Sequence, residues 1–283
     1  MSSSSKSSKS SSAINSAERT RIHLVSGDKG GTGKSMVSAM LVDYCKFKQE
    51  KFQAIDGDIT NPTLSGSYPD AIDMVVSDDR DMRSQLTTMF IAAQKDRKTV
   101  IVDLPARSES SLGAWFTEYN VLALAETHQI EFIKWWVSDG DPSTLDLFVS
   151  SVPMFPEIRH ILVKNMGLSK PIHWTVLDLW PDIDQWHQAG TIEIIEFPWM
   201  DKRLISRMRS SQQTFGELAQ AKEVDDVLEQ ARIQGFLKQG FAALEQTQIF
   251  RRAPDKILAR DPETSEANSS TEQPNDKKTK KPG

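Results

Sequence analysis

The sequence predicts an α/β fold with a doubly wound, mostly parallel sheet, and three observations predict it. A glycine-rich run, Gly27-Asp28-Lys29-Gly30-Gly31-Thr32-Gly33-Lys34-Ser35, directly follows the apolar stretch Ile22 to Val25. Apolar, strand-length segments then alternate with segments of helical rhythm along most of the chain. Polar residues with metal-binding or base-reading chemistry recur just after the strand segments, on the edge where a parallel sheet gathers its ligand-binding loops.

The elements follow in order. Ile22 to Val25 is the first strand, and residues 34 to 48 place Met36, Val37, Met40, Leu41, Tyr44, Cys45 and Phe47 in a helical rhythm. Phe52 to Ile55 resumes as a short strand, which begins a βαβ unit. Residues 79 to 96 read as a second helix closed by Lys95-Asp96-Arg97-Lys98, and Thr99 to Val102 as a buried strand. Residues 110 to 126 read as helical, Ile130 to Val137 as extended, Pro142 to Ser150 as helical and Arg159 to Lys164 as a strand. A short helix at 181 to 189, a strand from Ile192 to Phe197 and a set of closing helices from Asp201 to about Ile249 complete the pattern. No internal repeat is found.

Composition sets the organisation. Of 283 residues, 1–19 are mostly serine with two lysines, and 251–283 are rich in Pro, Glu, Asp, Ser and Lys. Neither end carries enough apolar residues to bury a core, so both read as disordered tails around a single domain, 20–250. An apolar signal region is missing at the N-terminus, and no stretch approaches the ~18 apolar residues of a spanning helix, so a soluble, cytoplasmic protein is expected. The single cysteine, Cys45, excludes a disulfide framework within one chain and sits in the apolar rhythm of a helix as a small hydrophobe. With a net charge of −5, any contact with DNA must come from a local patch. Two patches qualify, Lys202, Arg203, Arg207 and Arg209, and Arg251, Arg252, Lys256 and Arg260, although basic runs are more often solvated helix faces.

The glycine-rich run describes a phosphate-binding loop. A strand delivers the chain to a turn whose backbone N–H groups point at an anion, and the next helix adds the positive end of its dipole. Lys34 would reach the β- and γ-phosphates of a nucleotide and the Ser35 hydroxyl would complete a Mg²⁺ shell. Asp28 stands where the plain pattern has its first glycine, and a second lysine, Lys29, precedes the remaining glycines. The run Lys-Gly-Gly-Thr-Gly-Lys-Ser resembles the deviant Walker A loop of the MinD/ParA family of P-loop NTPases (the SIMIBI-type CobQ/CobB/MinD/ParA nucleotide-binding domain). The resemblance implies that Gly30, Gly31, Thr32, Gly33, Lys34 and Ser35 bind ATP, and that Lys29 contacts nucleotide across a dimer interface.

The later segments extend the resemblance over about residues 21 to 210. Asp56-Gly57-Asp58-Ile59-Thr60-Asn61-Pro62 is similar to the family's switch I, which implies that Asp58 activates the attacking water and Asp56 supports it and the metal shell. Asp103-Leu104-Pro105-Ala106 ends an apolar strand in the Walker B manner, where a carboxylate faces Mg²⁺ through water. It also resembles switch II. Asn165 matches the family's base-binding Asn, an amide able to read an adenine edge. Pro198, in Ile195-Glu196-Phe197-Pro198, matches a late proline whose backbone passes near the base.

One stretch departs from the family. Glu131 to Trp136, followed by Ser138-Asp139-Gly140-Asp141-Pro142-Ser143-Thr144, is not its usual wording and is similar to ParA-like conjugal transfer accessory proteins. Trp115, Trp135 and Trp136 read as core, and His128, His160 and His173 lack metal spacing.

The resemblance implies an ATP-hydrolysing, Mg²⁺-dependent switch that dimerises on ATP and answers to a protein partner, serving partition, conjugal transfer or cargo positioning. Membrane binding is not expected, because the apolar residues of the last helix, Phe236, Leu237, Phe241, Leu244 and Ile249, suit packing on the sheet and a long polar stretch follows. A nucleotide-dependent binding module without hydrolysis, and an amide-forming ligase of the dethiobiotin synthetase type, share the architecture and stay open as alternatives.

Overall fold

A computed structural model describes residues 19–221 and 227–250. The tail readings for 1–18 and 251–283, and the patch Arg251, Arg252, Lys256 and Arg260, lie outside the described residues.

Seven strands form one sheet in which every pairing is parallel, in the order β3-β2-β4-β1-β5-β6-β7. In chain order the strands are β1 (Thr20–Ser26), β2 (Phe52–Asp56), β3 (Ile72–Asp73), β4 (Thr99–Asp103), β5 (Ile130–Ser138), β6 (Arg159–Asn165) and β7 (Ile192–Phe197). The helices are α1 (Lys34–Lys48), α2 (Leu64–Ser67), α3 (Thr87–Asp96), α4 (Glu109–Glu118), α5 (Val121–Thr127), α6 (Pro142–Ser151), α7 (Pro181–Gln188), α8 (Lys202–Ser211), α9 (Phe215–Gln220) and α10 (Val227–Gln246).

The sheet is covered on both faces, which is why its inner strands carry apolar runs such as Val100–Val102 instead of strict alternation. Met40, Leu41, Val37, Phe215, Phe236 and Leu244 pack from α1, α9 and α10 against Ile133, Trp135 and Val163. On the other face Phe90, Leu112 and Trp115 pack from α3 and α4 against Ile22, Leu24, Val100 and Phe132. Trp136, adjacent to Trp135 and therefore pointing the opposite way, packs with Leu145, Phe148 and Leu162.

The three tryptophans are core, as the sequence indicates, and each indole N–H has a partner. Trp135 donates to His23 Nδ1 (3.0 Å), Trp136 to the Thr144 carbonyl (3.1 Å) and Trp115 to Thr87 Oγ1 (3.4 Å). Cys45 is buried, and burial pushes its thiol well above the usual range. Phe236, Leu237 and Leu244 of α10 are buried on the sheet, and no described helix is long and apolar enough to cross a membrane.

Two predicted helices are shorter than the pattern suggests. The segment 79–96 becomes helical only at a 3-10 turn, Arg83–Leu86, and then α3. Upstream, Ser77 Oγ accepts from the Asp79 N–H and Asp79 Oδ1 from the Asp81 N–H, local bonds that compete with helical ones. The segment 110–126 is two helices, broken at Asn120, which adopts φ 50°. The two-residue edge strand β3 and the 3-10 segment Pro171–Leu179 carry too little periodicity to be seen beforehand.

Candidate nucleotide-binding site

Strand β1 lies between β4 and β5, each reached by a crossover on a different side, so the loop after β1 opens at the point where the winding direction changes. That loop is the glycine-rich run. Gly31 and Gly33 adopt φ 83° and 100°, conformations that a side chain at either position would strain. A Cβ on Gly33 would also lie 2.3 Å from Asn165 Nδ2, so only glycine lets the loop turn this closely into α1.

Beside it is a cavity of about 180 Å³, lined by the loop glycines together with Lys34, Ser35, Asp58, Asp103 and Arg209. A larger cavity, about 880 Å³, lies at the opposite edge of the sheet among Arg19, Glu126, Glu131, Arg159 and Glu193. It has no phosphate loop, and its charged groups already pair, Arg19 with Glu126 (2.9 Å) and Arg159 with Glu131 (3.3 Å).

Lys34 is largely buried, and its amine donates to the Lys29 carbonyl (3.3 Å). Burial lowers its pKa, while Asp103, Asp58 and Asp28 counter the shift. Asp103 ends β4 with its side chain buried. Its Oδ1 accepts from Ser38 Oγ (3.1 Å), and its Oδ2 has no hydrogen-bond partner among the described residues. Burial pushes this carboxyl up to about 7, with Asp56 adding repulsion and the Ser35 and Ser38 hydroxyls and Lys34 opposing it. A buried carboxylate oxygen without a partner, beside the Ser35 hydroxyl at the start of α1, is a donor set that suits a hard divalent cation.

Asp56 is buried at the end of β2 and is spent on backbone. Its Oδ1 accepts from the Asp58 N–H (3.1 Å), and its Oδ2 from the Leu64 and Ser65 N–H groups (both 2.9 Å). It therefore ties the segment carrying Asp58 to the first turn of α2, and burial raises its pKa against these bonds. Asp58 is half-buried, and its Oδ1 accepts from Thr60 Oγ1 (2.8 Å) and the Asn61 N–H (3.2 Å).

Asn165, at the end of β6, reaches the loop directly. Its Nδ2 donates to the Thr32 carbonyl (2.7 Å), and its Oδ1 accepts from the Gly167 N–H (2.9 Å). The amide that the resemblance assigns to a base is thus hydrogen-bonded to the glycine-rich loop. Pro198 follows β7 beside it, since Asn165 pairs with Phe197 and the Met166 N–H donates to the Phe197 carbonyl (3.0 Å).

Lys29 is separate from the cavity lining. Its exposed ammonium lies 3.3 Å from Asp141 and 3.5 Å from Asp139, and hydrogen bonding to Asp141 with the charge of Asp139 raises its pKa. Asp141 also accepts from the Ser143 N–H (2.9 Å) as N-cap of α6, with Pro142 in the first turn.

Three features escape the sequence reading. The sequence groups Arg209 with a surface patch, yet it lines the cavity beside the glycine-rich loop while Arg207, two positions before it, pairs with Glu229 (2.7 Å). Lys134 is fully buried in β5 and pairs with Glu109 at the start of α4, and Glu109 also accepts from Ser26 Oγ (3.0 Å) at the end of β1. The Lys134 ammonium also sits 4.3 Å from the Phe155 ring centroid. This cluster ties the residue before the loop to the helix after Asp103, and its one signal is a lone lysine inside the apolar run Ile130 to Val137. The third is the pairing of Lys29 with the divergent Asp139-Gly140-Asp141 stretch. No group of His, Cys, Asp and Glu suited to a metal by itself occurs among the described residues.

No protein-family model matches the chain. It is 27% identical over 146 residues to Protein MobD of Acidithiobacillus ferrooxidans, covering 51% of this chain and 63% of that protein. It is 30% identical over 144 residues to Protein TraL of Escherichia coli, covering 48% and 58%. The chain thus spans less than two thirds of the length of either relative. Among solved structures, a ParA family ATPase from Chlorobium tepidum superposes with a TM-score of 0.49 at 13% identity, covering 79% of this chain and 99% of that one. The cell division ATPase MinD of Pyrococcus furiosus gives 0.46 at 16% identity, covering 77% and 98%. This chain is an α/β protein with a seven-stranded parallel sheet and a glycine-rich loop after its first strand, similar in sequence over about half its length to MobD and TraL.

Proposed function

We propose that the chain is an ATP-dependent switch that binds ATP with Mg²⁺, closes a homodimer, hydrolyses the nucleotide and reopens. The observation that carries this reading is the convergence of Lys34, Ser35, Asp58 and Asp103, from three separate loops, on one cavity beside a glycine loop. In this reading Gly30, Gly31, Thr32 and Gly33 present backbone N–H groups to the phosphates, and Lys34 neutralises the β- and γ-phosphates. Ser35 and Asp103 hold the cation, which when bound offsets phosphate charge. Asp58 orients the attacking water, and Asp56 keeps the Asp58 segment in place through its three backbone bonds.

Lys29 serves the dimer by reaching the partner's phosphates, which requires it to leave Asp139 and Asp141. A switch is favoured because the Asp56 to Ser65 segment and the Asp103 to Ala106 segment both border the cavity, so phosphate loss relaxes both. Similarity to MobD and TraL supports a role in conjugal transfer or partition, with a protein partner that stimulates hydrolysis.

The test pairs nucleotide binding with phosphate release. The wild type should bind ATP with steady phosphate release, Asp58→Ala should bind without release, and Lys34→Ala should lose binding. Release only on addition of a carboxylic acid would assign the chain to the ligases instead, and binding without any release would leave a binding module.

A further inference from the structure

We propose that Arg209 ligates the terminal phosphate of the bound nucleoside triphosphate within its own subunit; the proposal rests on the nucleotide reading above. Four charged side chains line the phosphate cavity: Lys34, Asp58, Asp103 and Arg209. Two are acids, and the conspicuous second lysine of the loop, Lys29, is drawn away to Asp139 and Asp141. Arg209 is therefore the only other cation that the described residues bring to this cavity from the same chain.

Its position is set by the fold. Helix α8 is capped by Asp201, whose carboxylate accepts from the Arg203 N–H (2.8 Å), and it is anchored by buried Leu204 and Met208. Met208 immediately precedes Arg209, so the backbone carrying the guanidinium is held by core packing. Asn61 and Thr63, from the segment between Asp58 and α2, line the same cavity.

The charge is also free to be used. Arg209 is exposed and has no hydrogen bond or ion pair to another described residue. Arg207 on the same helix is tied to Glu229. A guanidinium stays charged at any physiological pH and offers a planar fork of donors that fits two phosphate oxygens at once. Lining the same cavity as Lys34, it would respond to the γ-phosphate, which only the triphosphate presents, and would stabilise the charge that spreads over that group during transfer.

The test compares affinities of the full chain for ADP and for the non-hydrolysable β,γ-imido analogue of ATP, measured by calorimetry with Mg²⁺. Arg209→Ala is expected to weaken the triphosphate analogue by about tenfold or more while leaving ADP within about twofold, and Arg209→Lys to recover part of the loss. The thermal midpoint should stay unchanged, because the side chain is exposed. Equal loss for both nucleotides, or no loss for either, overturns the proposal while the nucleotide reading stands. Reduced retention on duplex DNA with unchanged nucleotide affinities also overturns it, and assigns Arg209 to a DNA-binding face. A wild-type chain that binds neither nucleotide overturns both.

Discussion

Asp103 sits in a conflict between stability and function that can be measured. Without a cation its carboxyl is held at about 7, against an ordinary value of 3.8, chiefly by burial. Between those values the folded chain holds a proton that the unfolded chain has released. Stability therefore falls as pH rises through this window, by about 1.4 kcal/mol per unit and at most ~4 kcal/mol in all, then levels off. Asp103→Asn keeps an acceptor for Ser38 and carries no charge to desolvate. In metal-free protein the variant should match the wild type near pH 4 and exceed it at pH 8 by up to ~4 kcal/mol. Urea unfolding in EDTA at the two pH values reads this directly. Mg²⁺ with ATP should stabilise the wild type at pH 8 far more than the variant, because the cation compensates the charge that the variant lacks. A variant less stable than wild type at pH 8, or a difference independent of pH, would refute the reasoning.

Three further outcomes follow from the geometry. Gly33→Ala, whose new Cβ would meet Asn165 Nδ2 at 2.3 Å in a left-handed backbone, should lose nucleotide binding and cost about 1–3 kcal/mol, read by calorimetry and urea unfolding. Glu109→Gln should cost about 3–5 kcal/mol by leaving the buried Lys134 ammonium without its counter-charge, and adding Lys134→Met should restore most of that. Asp139→Asn combined with Asp141→Asn keeps the α6 cap, since Asn caps as well as Asp, but frees Lys29, so light scattering should find more dimer at limiting ATP.

Much of this was legible in the chain because a parallel sheet writes itself as short apolar runs, and every strand of five or more residues was foreseen within two residues at each end. Gly31 and Gly33 were legible because the left-handed backbone they adopt favours glycine. Segments stabilised by local polar bonds were not: Asp79 and Ser77 delay a helix that the apolar pattern starts earlier. Nor does spacing reveal pairings between distant loops. Asp139 and Asp141 look like a turn until Lys29 is placed against them, Arg209 looks like surface until α8 brings it to the cavity, and Asn165 gives no sign that it holds the Thr32 carbonyl.

ATP is expected to close two copies of this chain into a dimer. Solution mass reports it, measured for the wild type with ADP, and for the wild type, Asp58→Ala and Lys29→Ala with ATP and Mg²⁺. The expected result is a monomer with ADP and a dimer with ATP that persists in Asp58→Ala and is lost in Lys29→Ala. A monomer in every state would contradict it.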